Sequence, residues 1–310
     1  MLHLGFEGLG ATNQLVEAAS RFETGCVLRD KLYRIALHEK SRLDLQGTAS
    51  RHPEHATWLT AEQVREECGT PHSLGGVRLR HGCQIIHVPS YLRGLWGACR
   101  ELSGGTALWS VEDPASWKER LAEFDMVILS AGAGLFQDGI YQQGVEAFPA
   151  EIVRGQSVEL KVDCDSSDFV NEAFLCGKYV VPLPGEDRVL VGSTHEYAEE
   201  ALEADTVVEF LRNTSTNLSP LAWTHGQVET VTSGMRLQSH RGPNGRLPII
   251  GRPNSHDLHP NMWLFTGLSG RGLIYHGIYG DILTDAIIRG DEEDMARLYP
   301  DTMWWKSKVV

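Results

Sequence analysis

Apolar positions along the chain keep two spacings, one helical and one alternating. Near the start, Leu15, Val16 and Ala19 fall on one face of a helix that Thr12 and Asn13 can cap. Val27-Leu28 and Tyr33-Arg34-Ile35-Ala36-Leu37 read as strands separated by Arg29-Asp30-Lys31. Thr60 followed by Gln63 is a capping-box signature for a short helix to about Cys68. Ile85 to Val88 is predicted as a strand, after which Pro89-Ser90 opens a helix through Tyr91, Leu92, Leu95, Trp96 and Cys99.

Met126-Val127-Ile128-Leu129 is an unbroken apolar run bounded by Ser130-Ala131-Gly132-Ala133-Gly134, as expected of a parallel-sheet strand covered on both faces. Glu151 to Asp163 alternates like a half-buried strand. Lys178 to Pro182 pairs naturally with Arg188 to Gly192 across Pro184-Gly185-Glu186-Asp187, which predicts an antiparallel hairpin. A helix from about Asp205 to Asn213 and strands around Val228–Val231 and Leu247–Gly251 follow. Met262 to Thr266 then feeds the turn Gly267-Leu268-Ser269-Gly270-Arg271-Gly272, and Leu273 to Ile288 reads as a helix stopped by Gly290. Parallel-type strands thus flank an antiparallel middle in a mixed α/β chain. There is no internal repeat and no low-complexity tract.

At 310 residues the chain can form one large domain or two intertwined ones. Its 42% apolar and 22% charged residues exclude disordered and fibrous classes. No apolar run approaches the roughly 20 residues of a membrane helix, so a soluble chain is expected. With 28 basic against 41 acidic residues the net charge is −13, the opposite of a nucleic-acid footprint. The six cysteines, Cys26, Cys68, Cys83, Cys99, Cys164 and Cys176, are widely spaced, which suits free thiols in a reducing compartment. Met1 is not followed by the basic and apolar regions of a secretory signal.

The strand, glycine turn and helix at Met262–Gly290 carry the clearest chemical message. Gly267, Gly270 and Gly272 let the backbone come close to a ligand, and the helix behind aims N–H groups and a partial positive charge at it. A turn needed only for packing is the alternative. Arg236, in Gly234-Met235-Arg236 at a predicted strand end, suits a bidentate grip on a carboxylate, with a structural salt bridge as its alternative role. His52 and His55, like His256 and His259, are spaced three apart but read as solvated loop residues without a third metal ligand. Neither a G-x-S-x-G elbow nor a P-loop occurs. Trp304-Trp305 reads as a packing anchor for the tail.

In order and spacing, Asp125 to Gly134, Val153 to Gln156, Tyr179 to Pro182 with Val191 to Thr194, Gly234 to Arg236 with Leu247 to Gly251, and Gly267 to Leu273 resemble the D-amino-acid-oxidase-like family of flavin oxidoreductases. That family includes glycine oxidase, sarcosine oxidase and the oxidoreductase domain of a bifunctional enzyme modifying the tRNA wobble uridine. Ser269-Gly270-Arg271-Gly272-Leu273 looks most like the tRNA-modifying member and its plant relatives. The resemblance implies a Rossmann-like FAD-binding domain interleaved with an antiparallel-sheet substrate domain. The expected segments are 1–79, mostly substrate side; 80–150, FAD side; 151–236, substrate sheet; and 237–310, FAD side and tail.

It further implies that Ala131, Gly132, Ala133, Gly267, Ser269, Gly270, Arg271, Gly272 and Leu273 bind FAD, while Arg236 and Tyr179 hold the substrate carboxylate. The implied chemistry is hydride transfer from the carbon beside an amine to the flavin, with dioxygen or another acceptor reoxidising it. The implied partners are thus a small amine or amino acid and that acceptor, without membrane or nucleic acid, in the cytoplasm or an organelle matrix such as a plastid.

The chain departs from the family at its start. A dinucleotide-binding domain opens with a strand, G-x-G-x-x-G and a helix, followed by an acidic residue. Met1 to Leu4 is too short for that strand, and Gly5-Phe6-Glu7-Gly8-Leu9-Gly10 orders its glycines differently. The Rossmann-like domain is therefore expected to be incomplete, with a βαβ unit encoded upstream or lost. A chain lacking that unit is expected to be colourless and to associate through an open sheet edge. A non-catalytic remnant serving as a binding module is the reading from another class, and action on tRNA is a third.

Overall fold

The computed structural model describes residues 3–79, 82–112, 117–136, 148–162, 172–185, 187–198, 200–253 and 258–306. In chain order the first elements are α1 (Gly5–Ser20), β1 (Val27–Arg29), β2 (Leu32–Ile35), α2 (Glu39–Arg51), β3 (Ala56–Leu59), α3 (Ala61–Cys68), β4 (Gly76–Leu79), β5 (Ile85–Ile86) and α4 (Val88–Leu102). Then come α5 (Trp117–Arg120), β6 (Val127–Leu129), β7 (Ala150–Val162), β8 (Phe174–Cys176), β9 (Lys178–Pro182), β10 (Arg188–Gly192), α6 (Ala204–Ser215) and α7 (Pro220–His225). The last are β11 (Gly226–Ser239), β12 (Ile249–Gly251), β13 (Met262–Thr266), α8 (Gly272–Arg289) and α9 (Glu292–Leu298). Met1, Asp163, Cys164, Glu186 and His256, each named above, lie outside the described residues.

Contacts divide the chain into two units, one of residues 1–15, 100–153 and 235–310, the other of residues 16–99 and 154–234. Relative to the expected segments, residues 82–99 group with the large sheet and residues 3–15 with the smaller one.

In the first unit a three-stranded sheet has the order β12-β13-β6, antiparallel between β12 and β13 and parallel between β13 and β6. The expectation of a β6 strand covered on both faces is corrected here: β6 lies at the sheet edge, with Val127 and Leu129 buried and Ile128 45% exposed. Helix α8 buries Tyr275, Tyr279, Ile282, Leu283 and Ala286 with Ile250 and Trp263 of the sheet, a face set by the 3–4 spacing of its apolar residues. Gly290, at φ 68°, ends it as predicted.

Thr12 and Asn13 do not cap a helix, because α1 already begins at Gly5. Thr12 sits within it and donates its hydroxyl to the carbonyl of Leu273 in the first turn of α8. The two helices meet closely because Gly8 has no side chain: a Cβ there would lie 2.4 Å from the Ile274 carbonyl oxygen.

Trp304 and Trp305 anchor the tail, as expected, donating indole N–H bonds of 2.9 and 3.0 Å to the carbonyls of Pro248 and Ile250 beside β12. His259, expected in solvent, is 7% exposed instead. Its Nδ1 accepts from the Asn261 N–H at 3.1 Å and its Nε2 lies 2.9 Å from the Phe124 carbonyl oxygen, so a neutral ring with its proton on Nε2 satisfies both. The side chain thereby ties together the loops entering β6 and β13.

The second unit is built on an eight-stranded sheet of order β11-β7-β10-β9-β8-β2-β4-β3, antiparallel at each described pairing except β2 with β8. The predicted hairpin is present, with Val189 opposite Pro182 and Gly192 opposite Tyr179. Helix α6 lays Val207 and Leu211, one turn apart, on this sheet against residues including Val180, Val189 and Val191. Each such fully buried side chain contributes about 1.5–3 kcal/mol over its exposed state. The Thr60/Gln63 capping box forms at the start of α3, where each side chain accepts from the other residue's backbone N–H. β1 pairs instead with β5 in a separate two-stranded ladder.

Candidate active site

The parallel register of β6 and β13, with Leu129 opposite Leu264, brings the loops after both strands out at the same end. Ligands of α/β sheets bind outside such carboxyl ends. Residues 130–134 after β6, residues 265–269 around the end of β13, and residues 235–237 of β11 line a cleft of about 340 Å³.

Left-handed backbone shapes both loops. Gly132 has φ 58°, and a Cβ there would meet no atom of the described residues within 4 Å. Gly267 has φ 68°, and its Cβ would press on Ile249 at 3.1–3.3 Å. Ser269 is left-handed as well, at φ 56°, which in a side-chain-bearing residue costs about 1–2 kcal/mol. Its Oγ accepts the Ser239 N–H at 3.2 Å, lies 3.2 Å from the Ser239 hydroxyl, and contacts the Gly267 carbonyl at 3.3 Å. Helix α8 starts just beyond, without a side-chain N-cap, so its first N–H groups are not claimed by a capping residue.

Of the residues singled out from sequence, Ala131, Gly132, Ala133, Arg236, Gly267 and Ser269 line this one cleft. Gly270 adjoins it: a Cβ there would lie 3.7 Å from Arg236 Nη1, an ordinary van der Waals contact. Arg271 turns to a neighbouring loop, its Nη1 3.5 Å from the Arg246 carbonyl oxygen. Gly272 and Leu273 form the start of α8, and the Leu273 carbonyl is the acceptor for Thr12. His276, one turn on, is half-buried with Nδ1 3.0 Å from the Gly272 carbonyl. Burial pushes its pKa below the usual imidazole value, and its backbone hydrogen bonds oppose that shift.

Tyr179 belongs to the other unit. Its hydroxyl lies 2.8 Å from Ser157 Oγ, reaching across Gly192 of the strand between them. A Cβ at Gly192 would come within 2.4 Å of the phenol oxygen, so the glycine is what lets the ring cross.

Sequence reasoning missed Thr266 and Ser239. Thr266 lines the cleft at 3% exposure, and its Oγ1 is buried without a hydrogen-bond partner among the described residues. Ser239 is fully buried under the turn. The serine has no local signal, since its partner is 30 residues away. Among the described residues no group of His, Cys, Asp and Glu could hold a metal ion.

A cleft at the carboxyl ends of parallel strands, with a left-handed glycine turn leading into a helix, is the arrangement of a nucleotide-cofactor protein. The family described as DAO, FAD dependent oxidoreductase, matches residues 3–286, and the chain belongs to that family. Similar solved structures include glycine oxidase from Bacillus cereus ATCC 14579, 17% identical over 93% of this chain and 81% of that one, with a TM-score of 0.68. Glycine oxidase from Geobacillus kaustophilus is 19% identical over 93% and 78%, with a TM-score of 0.66. Iminodiacetate oxidase from Chelativorans sp. BNC1 is 18% identical over 92% and 79%, with a TM-score of 0.68. At these identities the likeness concerns the fold. No curated protein matches the chain.

The cleft residues are compatible with a bound flavin. Gly132 and Gly267 keep the walls bare at left-handed positions, and Thr266 offers a buried hydroxyl that has no hydrogen-bond partner among the described residues. The sequence contains no G-x-G-x-x-G, so no residues are assigned to the pyrophosphate.

Proposed function

We propose that the chain is an FAD-dependent oxidoreductase acting on the C–N bond of a small amine or amino acid, with dioxygen or another acceptor taking the electrons. The observation that carries this reading is the placement of Arg236 on the same cleft as the left-handed turn of Gly267 and Ser269. FAD, when bound, supplies a two-electron acceptor for the hydride on the carbon beside the amine. The residues around the cleft then have different tasks.

Arg236 supplies a planar pair of N–H donors suited to a carboxylate, and a grip of that kind fixes which C–H bond faces the ring. The turn at 267–271 and the start of α8 supply backbone N–H groups and a partial positive charge, which would suit an electron-rich or anionic group held there. Ala131, Gly132 and Ala133 line the same cleft. Tyr179 is the proposed second contact for the carboxylate. The family's reaction and the absence of a membrane-crossing helix among the described residues suit work in the cytoplasm or an organelle matrix, a plastid included.

A tRNA wobble-uridine side chain is the other substrate that the Ser269–Leu273 resemblance suggests. The net charge of −13 argues against it, because phosphate contacts dominate nucleic-acid affinity. Arg271, the charged residue of that stretch, is also turned to a backbone carbonyl of its own unit.

Titrating FAD, and riboflavin as a ring-only probe, into the purified chain tests the reading through quenching of flavin fluorescence. Saturable but weak uptake of both is expected, too loose for a chain without the G-x-G-x-x-G unit to stay coloured through purification. Absence of uptake up to about 1 mM, a binding free energy of only about −4 kcal/mol, would refute it. In an active preparation Arg236→Met is expected to raise KM at least tenfold without changing flavin uptake. Arg236→Lys should recover only part of the loss, since an ammonium lacks the fork geometry. Parallel loss of flavin and activity would instead make Arg236 structural.

A further inference from the structure

We propose that Ser239 is a positioning residue, which through Ser269 locks the turn at 267–271 and ties it to the strand that carries Arg236. The inference rests on the flavin reading of the cleft. Three observations carry it.

Ser269 holds a left-handed conformation that favours glycine, and such strain persists only where the surroundings over-determine it. The over-determination is visible: the Ser239 N–H donates to Ser269 Oγ and the two hydroxyls lie 3.2 Å apart, with Ser239 fully buried. An adjacent backbone bridge pairs Gln238 with Leu268.

The far side of Ser239 is held as well. Its carbonyl accepts a hydrogen bond from Arg246 Nη1, and that guanidinium also reaches Glu151 Oε1 at 3.3 Å. The same carboxylate oxygen accepts from Gln238 Nε2 at 3.1 Å. The end of β11 is thereby pinned by Glu151 and Arg246, and it in turn pins the turn through Ser269.

Arg236 lies three residues before Ser239 on this strand, and its Nη1 is 3.7 Å from the position of a Cβ on Gly270. A shift of the turn therefore moves the wall of the guanidinium's own site. Ser239 fixes the spacing between the carboxylate grip and the ring-binding turn without being placed to touch either ligand.

A double-mutant cycle on the full chain tests this, with Ser239→Ala, Ser269→Gly and the pair, read by FAD titration and by thermal unfolding without flavin. One hydrogen bond of ordinary strength predicts a roughly three- to tenfold weaker FAD affinity for Ser239→Ala in the wild-type background. If the two hydroxyls act through each other, the same change in the Ser269→Gly background should weaken affinity by less than about twofold. Ser269→Ala should bind FAD less well than Ser269→Gly, because it keeps the strained conformation and loses the bonds that hold it.

Equal losses in both backgrounds, or a lowered melting temperature with FAD affinity unchanged, would overturn the proposal and leave Ser239 merely structural. If Ser239→Ala fails to fold, the order of Ser269→Ala and Ser269→Gly decides the matter alone. A wild-type chain that takes up no flavin would remove the reading of the cleft and this proposal with it. Wild-type uptake with additive variants would remove only the coupling.

Discussion

Replacing Gly267 by alanine separates the backbone demand of the turn from its packing. At φ 68° an alanine pays about 1–2 kcal/mol for the left-handed conformation alone. Its Cβ would also lie 3.1 and 3.2 Å from Cγ1 and Cδ1 of Ile249 and 3.3 Å from that residue's backbone nitrogen. Ile249 is fully buried, and its strand is paired with β13, so neither the side chain nor the backbone can give way freely. Overpacking of this kind costs about 1–3 kcal/mol, for a total of about 2–5 kcal/mol. At roughly 2–4 °C per kcal/mol for a unit of this size, the melting temperature without flavin should fall by about 4–20 °C.

Gly132→Ala is the matched control. It shares the positive φ, but its Cβ meets no atom of the described residues within 4 Å, so only the conformational cost of about 1–2 kcal/mol and a fall of about 2–8 °C are expected. Melting followed by circular dichroism in the two variants checks both numbers. If Gly267→Ala melted within about 2 °C of wild type, or if Gly132→Ala were the more damaging change, the account of the turn as bounded by Ile249 would be wrong.

His276 favours its neutral form in the folded state because burial lowers its pKa. The unfolded chain therefore binds a proton first, and the contribution to stability is present above the ordinary imidazole value of about 6.5 and lost as pH falls through it. Denaturant unfolding at a series of pH values should show this slope and show it flattened in His276→Gln; an unchanged slope would assign it to other groups. Tyr179→Phe should cost about 1–3 kcal/mol by stranding the buried Ser157 hydroxyl. If Tyr179 also holds the carboxylate, KM should rise with kcat little changed, whereas an unaffected KM would confine the tyrosine to its bond with Ser157.

Several elements could be read from the sequence because their causes are local. The Thr60/Gln63 capping box, the hairpin between Lys178 and Gly192, and the Gly290 stop each depend on residues within a few positions of one another. The turn at 267–272 was legible for the same reason: its glycines follow a continuous apolar strand and precede a helical spacing. Arg236 could be singled out as a cation at a strand end, but nothing in its own neighbourhood indicated which wall it would join.

Tertiary contacts decided the rest. The start of α1 was missed because Thr12 and Asn13 offer a cap within it, and only the closely packed Ile274 of α8 shows why Gly8 must be bare. His259 reads as a loop residue until Phe124, 135 positions away, supplies the carbonyl that buries it. The exposure of Ile128 follows from an edge position that a run of apolar residues cannot announce, since periodicity records how a strand could be covered and not which neighbours it has. Ser239 and Ser269 are ordinary polar residues in sequence; each gains its role from a hydroxyl 30 residues away, because hydrogen bonds form between atoms that are close in space whatever their separation along the chain.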